Sequence, residues 1–251
     1  MTVERKKLVM LQIGSVTLLC LALYPGSLAG QTAKSSPVDE TINRILLQER
    51  QLVLDPHRLA EVIRNHGVTV FQTGPSVWSV LLAQIPEFPR LRVAVSTGDA
   101  IAPDLARRLA CVGKAVWNLY GPTEATVWAT GYRLERDASG IAAHSSISAP
   151  IGRPLANVAV RVLDAHRVPV PSGAEGELWI GGKALARGYR NNEQLTRERF
   201  VDLGQDSGIF YQTGDVVAQD ADGTLHYFGR NDDQIKIISR QLIQRPADLR
   251  R

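Results

Sequence analysis

A chain of 251 residues, 44% of them hydrophobic and 22% charged, can bury one large core or two small ones, and this composition excludes a disordered or fibrous polymer. The net charge of +4 comes from 29 basic against 25 acidic residues and sits partly in the terminal segments 5–7 and 240–251. Basic and aromatic residues do not interleave, which argues against nucleic acid as a partner. The two cysteines, Cys20 and Cys111, are too far apart and too differently placed to build a disulfide framework or a zinc site.

Residues 5–7 are basic, 8–23 mostly apolar and 25–29 small, the order of a secretory signal peptide. Gln12, Gly14, Ser15 and Thr17 interrupt the apolar run, which favours a cleaved signal over a membrane span. A non-native leader left by a mis-assigned start, a frameshift or a truncated gene would give the same order, so both readings stay open. Residues 31–37 turn small and polar and read as a linker. Ile42, Ile45 and Leu46 then fall at helical spacing behind Asp39 and Glu40. A helix is expected over 56–65, with Leu59, Val62 and Ile63 on its apolar face, and a buried strand over 68–71. Helix 76–82, strand 91–95, helix 103–109 and strand 115–119 continue the alternation, which argues for an α/β layer with parallel strands. Beyond about residue 130, short strand-like runs at 158–163, 176–180, 208–213 and 225–228 are separated by turn signals and read as a β-rich subdomain. The last residues, 237–251, show no period and are expected to be poorly ordered. The division is therefore a leader and linker over 1–34, an α/β part over 35–135, a β-rich part over 136–230 and a remnant over 231–251.

Four segments could carry chemistry. NLYGPTEAT, residues 118–126, places a Gly-Pro turn at the carboxyl end of a strand, where open α/β sheets bind ligands. Tyr120 offers an aromatic face for a purine, Thr123 a hydroxyl for a phosphate oxygen and Glu124 a carboxylate for Mg²⁺. A plain turn would use the same residues. YQTGDV, residues 211–216, presents Asp215 at a strand end, and its two oxygens match the two hydroxyls of a ribose; an ordinary Asp turn is the competing reading. FGRNDDQIKI, residues 228–237, offers Arg230 to phosphate or ribose, or is a charged hairpin. GELWIGGKALARGY, residues 176–189, is glycine-rich but is not a standard phosphate loop, and reads as strands crossing closely at glycine.

In order, NLYGPTEATVWAT, IGRPLANVAVRVLD, GELWIGGKALARGY and YQTGDVVAQDADGTLHYFGRNDDQIKI resemble the adenylation domains of non-ribosomal peptide synthetases, within the AMP-forming acyl and amino acid ligases. The resemblance covers about residues 54–237 and begins more weakly with DPHRLAEVIRNHGVTVFQTGPSVW and STGDAIAPDLARRL. It implies a partial layered α/β large domain with a β-rich subdomain. It also implies ATP and Mg²⁺ as cofactors, an amino acid as substrate, and a carrier-protein domain bearing phosphopantetheine as partner. By that resemblance Tyr120 stacks on adenine, Gly98 lines the adenine slot, Thr123 meets the α-phosphate, Glu124 holds Mg²⁺, Asp215 binds the ribose hydroxyls, and Arg230 lies near ribose and phosphate. Asp232 falls at the joint about which a small C-terminal domain swings. Gln72, Val95, Thr97, Leu119, Val127 and Trp128 match the wall of the amino acid pocket.

The sequence departs from the family at both ends. Nothing in residues 1–54 resembles the Ser/Thr- and Gly-rich phosphate loop ending in Pro-Lys-Gly, and residues 236–251 leave the family pattern before the small domain that carries the catalytic lysine. Little or no adenylation is expected from this chain alone, unless a separate polypeptide supplies the missing subdomain. A secreted, non-catalytic binding module and a decayed gene product are the competing readings. The family's chemistry points to the cytoplasm, and the leader, if it is a signal, to export.

Overall fold

The computed structural model describes residues 10–13, 55–136, 148–204 and 208–231. The helix expected behind Asp39, the tail 237–251 and Asp232 lie outside the described residues. Three helices open with proline at the first position, where its fixed φ suits the helix and its missing N–H costs nothing: α1 (Pro56–Asn65), α2 (Pro75–Gln84) and α3 (Pro103–Leu109). Asp55 caps α1 by accepting the Arg58 N–H at 3.1 Å, and the Val68 N–H closes the helix end on the Ile63 carbonyl at 3.0 Å. That closure explains why the strand expected at 68–71 starts two residues later.

The first sheet runs β1 (Met10–Ile13), β2 (Val70–Thr73), β3 (Leu91–Thr97), β4 (Gly113–Tyr120), β5 (Thr130–Arg133) and β6 (Arg153–Pro154), in that order. The first four strands are parallel, and β5 and β6 are antiparallel additions to the edge. Two sequence expectations change here. The layer is mixed rather than parallel throughout, and it reaches past residue 130 to Pro154. The apolar run read as signal-like supplies β1, paired with β2 from Met10↔Val70 to Ile13↔Thr73. An apolar run suits a strand as well as a signal core, and periodicity alone does not separate the two.

One face of this sheet carries the helices. Phe71, Ala94 and Val116 from the strands pack with Leu59 and Ile63 of α1, Trp78 and Leu81 of α2, and Leu105 and Leu109 of α3. Trp78 is fully buried, stands edge-on to Phe71 with centroids 5.1 Å apart, and donates its indole N–H to the Val95 carbonyl at 3.1 Å. Side chains alternate across a strand, so register assigns the opposite face to Gln72, Val95 and Trp117, and then to Thr97 and Leu119.

The second sheet is antiparallel, in the order β11 (Leu225–Arg230), β10 (Ile209–Gln219), β8 (Glu175–Gly182) and β7 (Val158–Leu163), with β9 (Phe200–Asp202) also on β10. The helix α4 (Glu193–Arg199) leads into β9. Close crossing at glycine holds in this sheet: a Cβ on Gly176 would lie 2.8 Å from the Leu163 carbonyl oxygen, and one on Gly181 would lie 2.9 Å from the Phe210 ring.

Residues 148–155 join the two sheets. Asn118 holds the Pro150 carbonyl at 2.8 Å and Thr130 the Ile151 carbonyl at 2.6 Å from the first sheet, while the N–H groups of Ile151 and Gly152 reach the Leu225 carbonyl in the second. Ile151 completes a core with Ala125, Ala129, Leu178, Ile180, Val217 and Leu225, and Tyr120 of β4 packs against it, so both sheets meet at one apolar cluster. Among the described residues no helix is long and apolar enough to cross a membrane.

Two glycines in nearly the same backbone conformation separate strain from crowding. Gly152 (φ +82) faces the Gly131 carbonyl oxygen, 2.0 Å from where a Cβ would sit, whereas Gly173 (φ +81) faces open space. Gly173→Ala is expected to cost about 1–2 kcal/mol for the left-handed backbone alone. Gly152→Ala should cost about 3 kcal/mol or more, because backbone must move at the sheet junction. Urea unfolding midpoints of the two variants check this.

The same junction has an acid-sensitive tie. Asp222 accepts the Thr224 N–H at 2.9 Å, the Thr224 hydroxyl at 3.1 Å and the Arg153 guanidinium at 2.5 Å. The Thr224 backbone bond first, and Arg153 next, lower its carboxyl from the usual 3.8 to about 2. A depressed carboxyl stabilises the fold above its unfolded value and loses that contribution as pH falls through the folded one. Asp222→Asn should therefore destabilise the chain at pH 5 to 7, with the difference from wild type closing between about pH 4 and pH 2. Thermal melts along an acid series read this out.

Candidate functional site

The turn after β4 is built under tight steric limits. The Ala129 N–H returns to the Tyr120 carbonyl at 2.7 Å, and a Cβ on Gly121 would sit 2.6 Å from the Ala129 nitrogen, so only glycine fits. A single 3₁₀ turn, Thr123–Ala125, follows, and Thr126 (φ 56) and Val127 (φ 73) then both take the left-handed region. Consecutive β-branched residues there cost of the order of 1–3 kcal/mol each. Residues 183–190 hold them in place: the Thr126 hydroxyl donates to the Ala184 carbonyl at 2.6 Å, and the Ala186 N–H to the Glu124 carbonyl at 2.7 Å.

Asp215 reaches this turn through a bulge. Along β10 and β8, Gln212 opposes Trp179 and Val216 opposes Glu177, so Thr213, Gly214 and Asp215 face the single residue Leu178. Such an insertion re-aims a side chain. Its polar groups are satisfied locally. The Glu177 carboxylate accepts from the Gly214 N–H at 2.9 Å and the Gln212 amide at 2.8 Å; the Thr213 hydroxyl donates to the Leu178 carbonyl at 2.7 Å and accepts the Asp215 N–H at 3.0 Å. Asp215 is left buried, with its carboxylate aimed at the end of β4.

There the two sheets meet. The Tyr120 hydroxyl donates to Asp215 Oδ2, and Arg230, which faces Asp215 in the β10–β11 register, donates from Nη1 to Oδ1 at 2.9 Å and from Nη2 to the Thr213 carbonyl at 3.0 Å. Burial first, and the Asp215 charge second, raise the Tyr120 hydroxyl well above its ordinary value, so it stays a neutral donor. A carboxylate oxygen carries two lone pairs, so each can accept more than one hydrogen bond.

A second carboxylate–phenol contact joins the 3₁₀ turn to the end of the segment 183–190. Glu124 Oε1 accepts the Tyr189 hydroxyl at 2.6 Å, and the Tyr211 hydroxyl is 3.4 Å from that of Tyr189. Phe200 wedges between the rings, 5.7 Å from Tyr189 and 5.1 Å from Tyr211. Burial is the first cause raising both phenols; Tyr211 is pushed up to about 12, and Tyr189 rises further with the help of its bond to Glu124. All three phenols therefore donate at neutral pH.

The residues singled out in the sequence fall into groups. Tyr120, Asp215 and Arg230 form one bonded cluster. Glu124 sits one turn on from Tyr120, and Thr123 opens the 3₁₀ turn between them. Gly98 (φ +95) follows β3 at the same carboxyl edge of the sheet, and the space where its side chain would be is open. Gln72, Val95, Thr97 and Leu119 share the face of β2–β4 opposite to Phe71, Ala94 and Val116. Val127 and Trp128 leave the strained turn, and the indole N–H of Trp128 is buried with no partner among the described residues. Tyr189, Tyr211, Thr213 and Glu177 escaped the sequence reading as site residues. Tyr189 closes the glycine-rich segment and Tyr211 and Thr213 open the YQTGDV segment, but nothing in their spacing shows that they face Glu124 or shape the bulge.

The AMP-binding enzyme family matches residues 43–190. The chain is similar to the dimodular nonribosomal peptide synthase of Bacillus subtilis (strain 168), 41% identical over 197 residues that cover 77% of this chain and 8% of that protein. It is also 41% identical over 196 residues to the phosphinothricin tripeptide synthetase PhsC of Streptomyces viridochromogenes, covering 77% of this chain and 17% of that one. Among solved structures it resembles a four-domain nonribosomal peptide synthetase bound to AMP and glycine, with TM-score 0.65 and 35% identity over 77% of this chain and 14% of that one. It likewise resembles the N-terminal subdomain of Klebsiella oxytoca NpsA, with TM-score 0.62 and 28% identity over 70% of this chain and 45% of that subdomain. The chain thus spans less than a fifth of these two synthetases and under half of the NpsA subdomain.

Removing one member of a buried ion pair strands the other. Arg230→Ala should destabilise the fold by about 3 kcal/mol, whereas the double variant Asp215→Asn/Arg230→Met should recover more than half of that. Chemical unfolding of wild type, the single variant and the double variant measures both.

Proposed function

Because the chain belongs to the AMP-binding enzyme family and is similar to nonribosomal peptide synthetases, we propose that it is the nucleotide-holding portion of an adenylation domain that activates an amino acid. The observation that supports this most is the meeting of Tyr120, Asp215 and Arg230 at the junction of two sheets, with Glu124 one turn away. An aromatic face, a buried acid, a cation and a second acid are the group types that adenine, ribose, phosphate and a phosphate-bound cation require.

In this reading Tyr120 supports the adenine, with Gly98 leaving room at the neighbouring strand end, Asp215 accepts from the ribose hydroxyls, and Arg230 holds Asp215 while facing the ribose and phosphates. Thr123 donates to the α-phosphate and Glu124 holds Mg²⁺, which when bound would neutralise phosphate charge. Among the described residues no three His, Cys, Asp or Glu side chains come together, so a cation at Glu124 would draw its other ligands from the nucleotide and water. Gln72, Val95, Thr97, Leu119, Val127 and Trp128 face the amino acid, and the buried indole N–H of Trp128 is a donor left for a ligand.

In the proposed reaction a carboxylate oxygen of the amino acid bonds to the α-phosphorus as the bond to pyrophosphate breaks, and the acyl group then passes to the phosphopantetheine thiol of a carrier domain. Asp232 belongs to the joint for the domain motion between these steps. ATP and a carrier domain place this work in the cytoplasm. In this reading turnover depends on the cations of a phosphate loop and of a small C-terminal domain's lysine, whichever segment supplies them. Without those cations the rate falls by three or more orders of magnitude.

MgATP should quench the tryptophan fluorescence of the full chain saturably, and Asp215→Ala should weaken that binding about tenfold or more. Amino-acid-dependent exchange of pyrophosphate into ATP should stay near background. The absence of any MgATP-dependent signal in the folded wild-type chain would refute nucleotide binding.

A further inference from the structure

The geometry points to Tyr189 as a positioning residue for the cation-holding carboxylate: its hydroxyl fixes Glu124, so that the turn presents one carboxylate in a single orientation for a nucleotide-bound divalent cation. This rests on the nucleotide site proposed above and adds to it a residue from the glycine-rich segment, whose sequence reading was purely structural.

Three observations carry it. The contact is direct and short, 2.6 Å from the Tyr189 hydroxyl to Glu124 Oε1, the length of a hydrogen bond to a charged acceptor. Tyr189 itself is held from several sides. Its N–H donates to the Thr196 hydroxyl at 2.9 Å, that hydroxyl donates to the Asn192 carbonyl at 2.8 Å, and the ring stands edge-on to Phe200 at 73°. Gly188, at φ +137, would place a Cβ 2.4 Å from the Thr196 methyl, so the approach to Tyr189 admits only glycine. Finally, backbone ties join the same two segments, Ala186 N–H to the Glu124 carbonyl and Thr126 hydroxyl to the Ala184 carbonyl. Tyr189 is therefore not needed to dock the loop. Its hydroxyl adds orientation of one carboxylate to a contact already made by backbone.

A group that fixes a metal-binding carboxylate without touching the metal changes metal affinity about 10- to 100-fold when removed. Tyr189→Phe keeps the ring against Phe200 and deletes only the donor. The experiment is ATP binding to the full chain, followed by tryptophan fluorescence across a series of Mg²⁺ concentrations, with near-ultraviolet circular dichroism to register the fold. Tyr189→Phe should raise the Mg²⁺ concentration for half-maximal ATP binding about tenfold or more, with ATP binding at saturating Mg²⁺ close to wild type. In a Glu124→Gln background the same change should have no further effect, since Tyr189 acts through Glu124.

An unchanged Mg²⁺ dependence in Tyr189→Phe overturns the proposal and leaves nucleotide binding standing. A loss of ATP binding that is equal at all Mg²⁺ concentrations also overturns it, by making Tyr189 a structural residue. A wild-type chain blind to MgATP overturns both readings together. Should Tyr189→Phe fail to fold, the tyrosine difference spectrum of the wild-type chain on adding Mg²⁺ with ATP decides. A signal that disappears in Glu124→Gln supports the proposal, and no signal in a wild-type chain that binds MgATP overturns it.

Discussion

A carboxylate buried where two sheets meet must be compensated on both oxygens, and Asp215 is compensated by groups from opposite sides of the junction. Arg230 comes from the neighbouring strand of its own sheet, Tyr120 from the end of the other sheet. Isolated burial of such a charge costs several kcal/mol even after relaxation, so neither sheet tolerates Asp215 without both partners in place. The glycine approach at 152 and the apolar cluster around Ile151 set the distance at which those partners arrive. The cluster thus links packing to chemistry: a displacement of either sheet breaks a charged hydrogen bond before it opens a cleft.

The same reasoning explains why the strained turn persists. Thr126 and Val127 hold an unfavourable backbone because residues 183–190 tie down the turn through Ala184 and Ala186, and because Gly121 lets the chain pass against Ala129. The strain delivers Glu124 and Thr123 to the carboxyl edge of the sheet beside Tyr120. The bulge in β10 performs the matching operation from the other side, and Glu177 saturates the backbone that the bulge exposes. Two irregularities, one held by residues 183–190 and the other by Glu177 of its own sheet, aim their acids at a common edge.

How much of this could be read in the sequence follows from how local each signal is. The helices at 56–65 and 103–109 were legible because Asp55, Pro56 and Pro103 mark their starts within one turn. The α/β alternation was legible for the same reason, as was the edge at which Tyr120 and Glu124 lie. Strands were less legible than helices, and two cases show why. The run expected to stop at Thr213 continues to Gln219, because Gly214 reads as a breaker while its strand is carried on by a glutamate 37 positions away. The antiparallel edge of the first sheet was missed because β6 is only two residues long and is defined by what it pairs with. Tyr189 was invisible as a site residue because its partner is 65 positions earlier, and no periodicity encodes that distance.

The two acids of the junction are therefore held by different logics, and the difference bears on what each can do. Asp215 is bound by a cation and a phenol, so its charge is balanced and it remains an acceptor for neutral donors such as hydroxyls. Glu124 has a neutral phenol on one oxygen and a second phenol close by, with no cation bonded to it among the described residues. A hydrogen bond from a neutral donor orients a carboxylate without cancelling its charge. A balanced acid suits a sugar and an oriented, unbalanced acid suits a cation, so under the proposed assignment the partners of each carboxylate, rather than the carboxylates themselves, would separate the two roles.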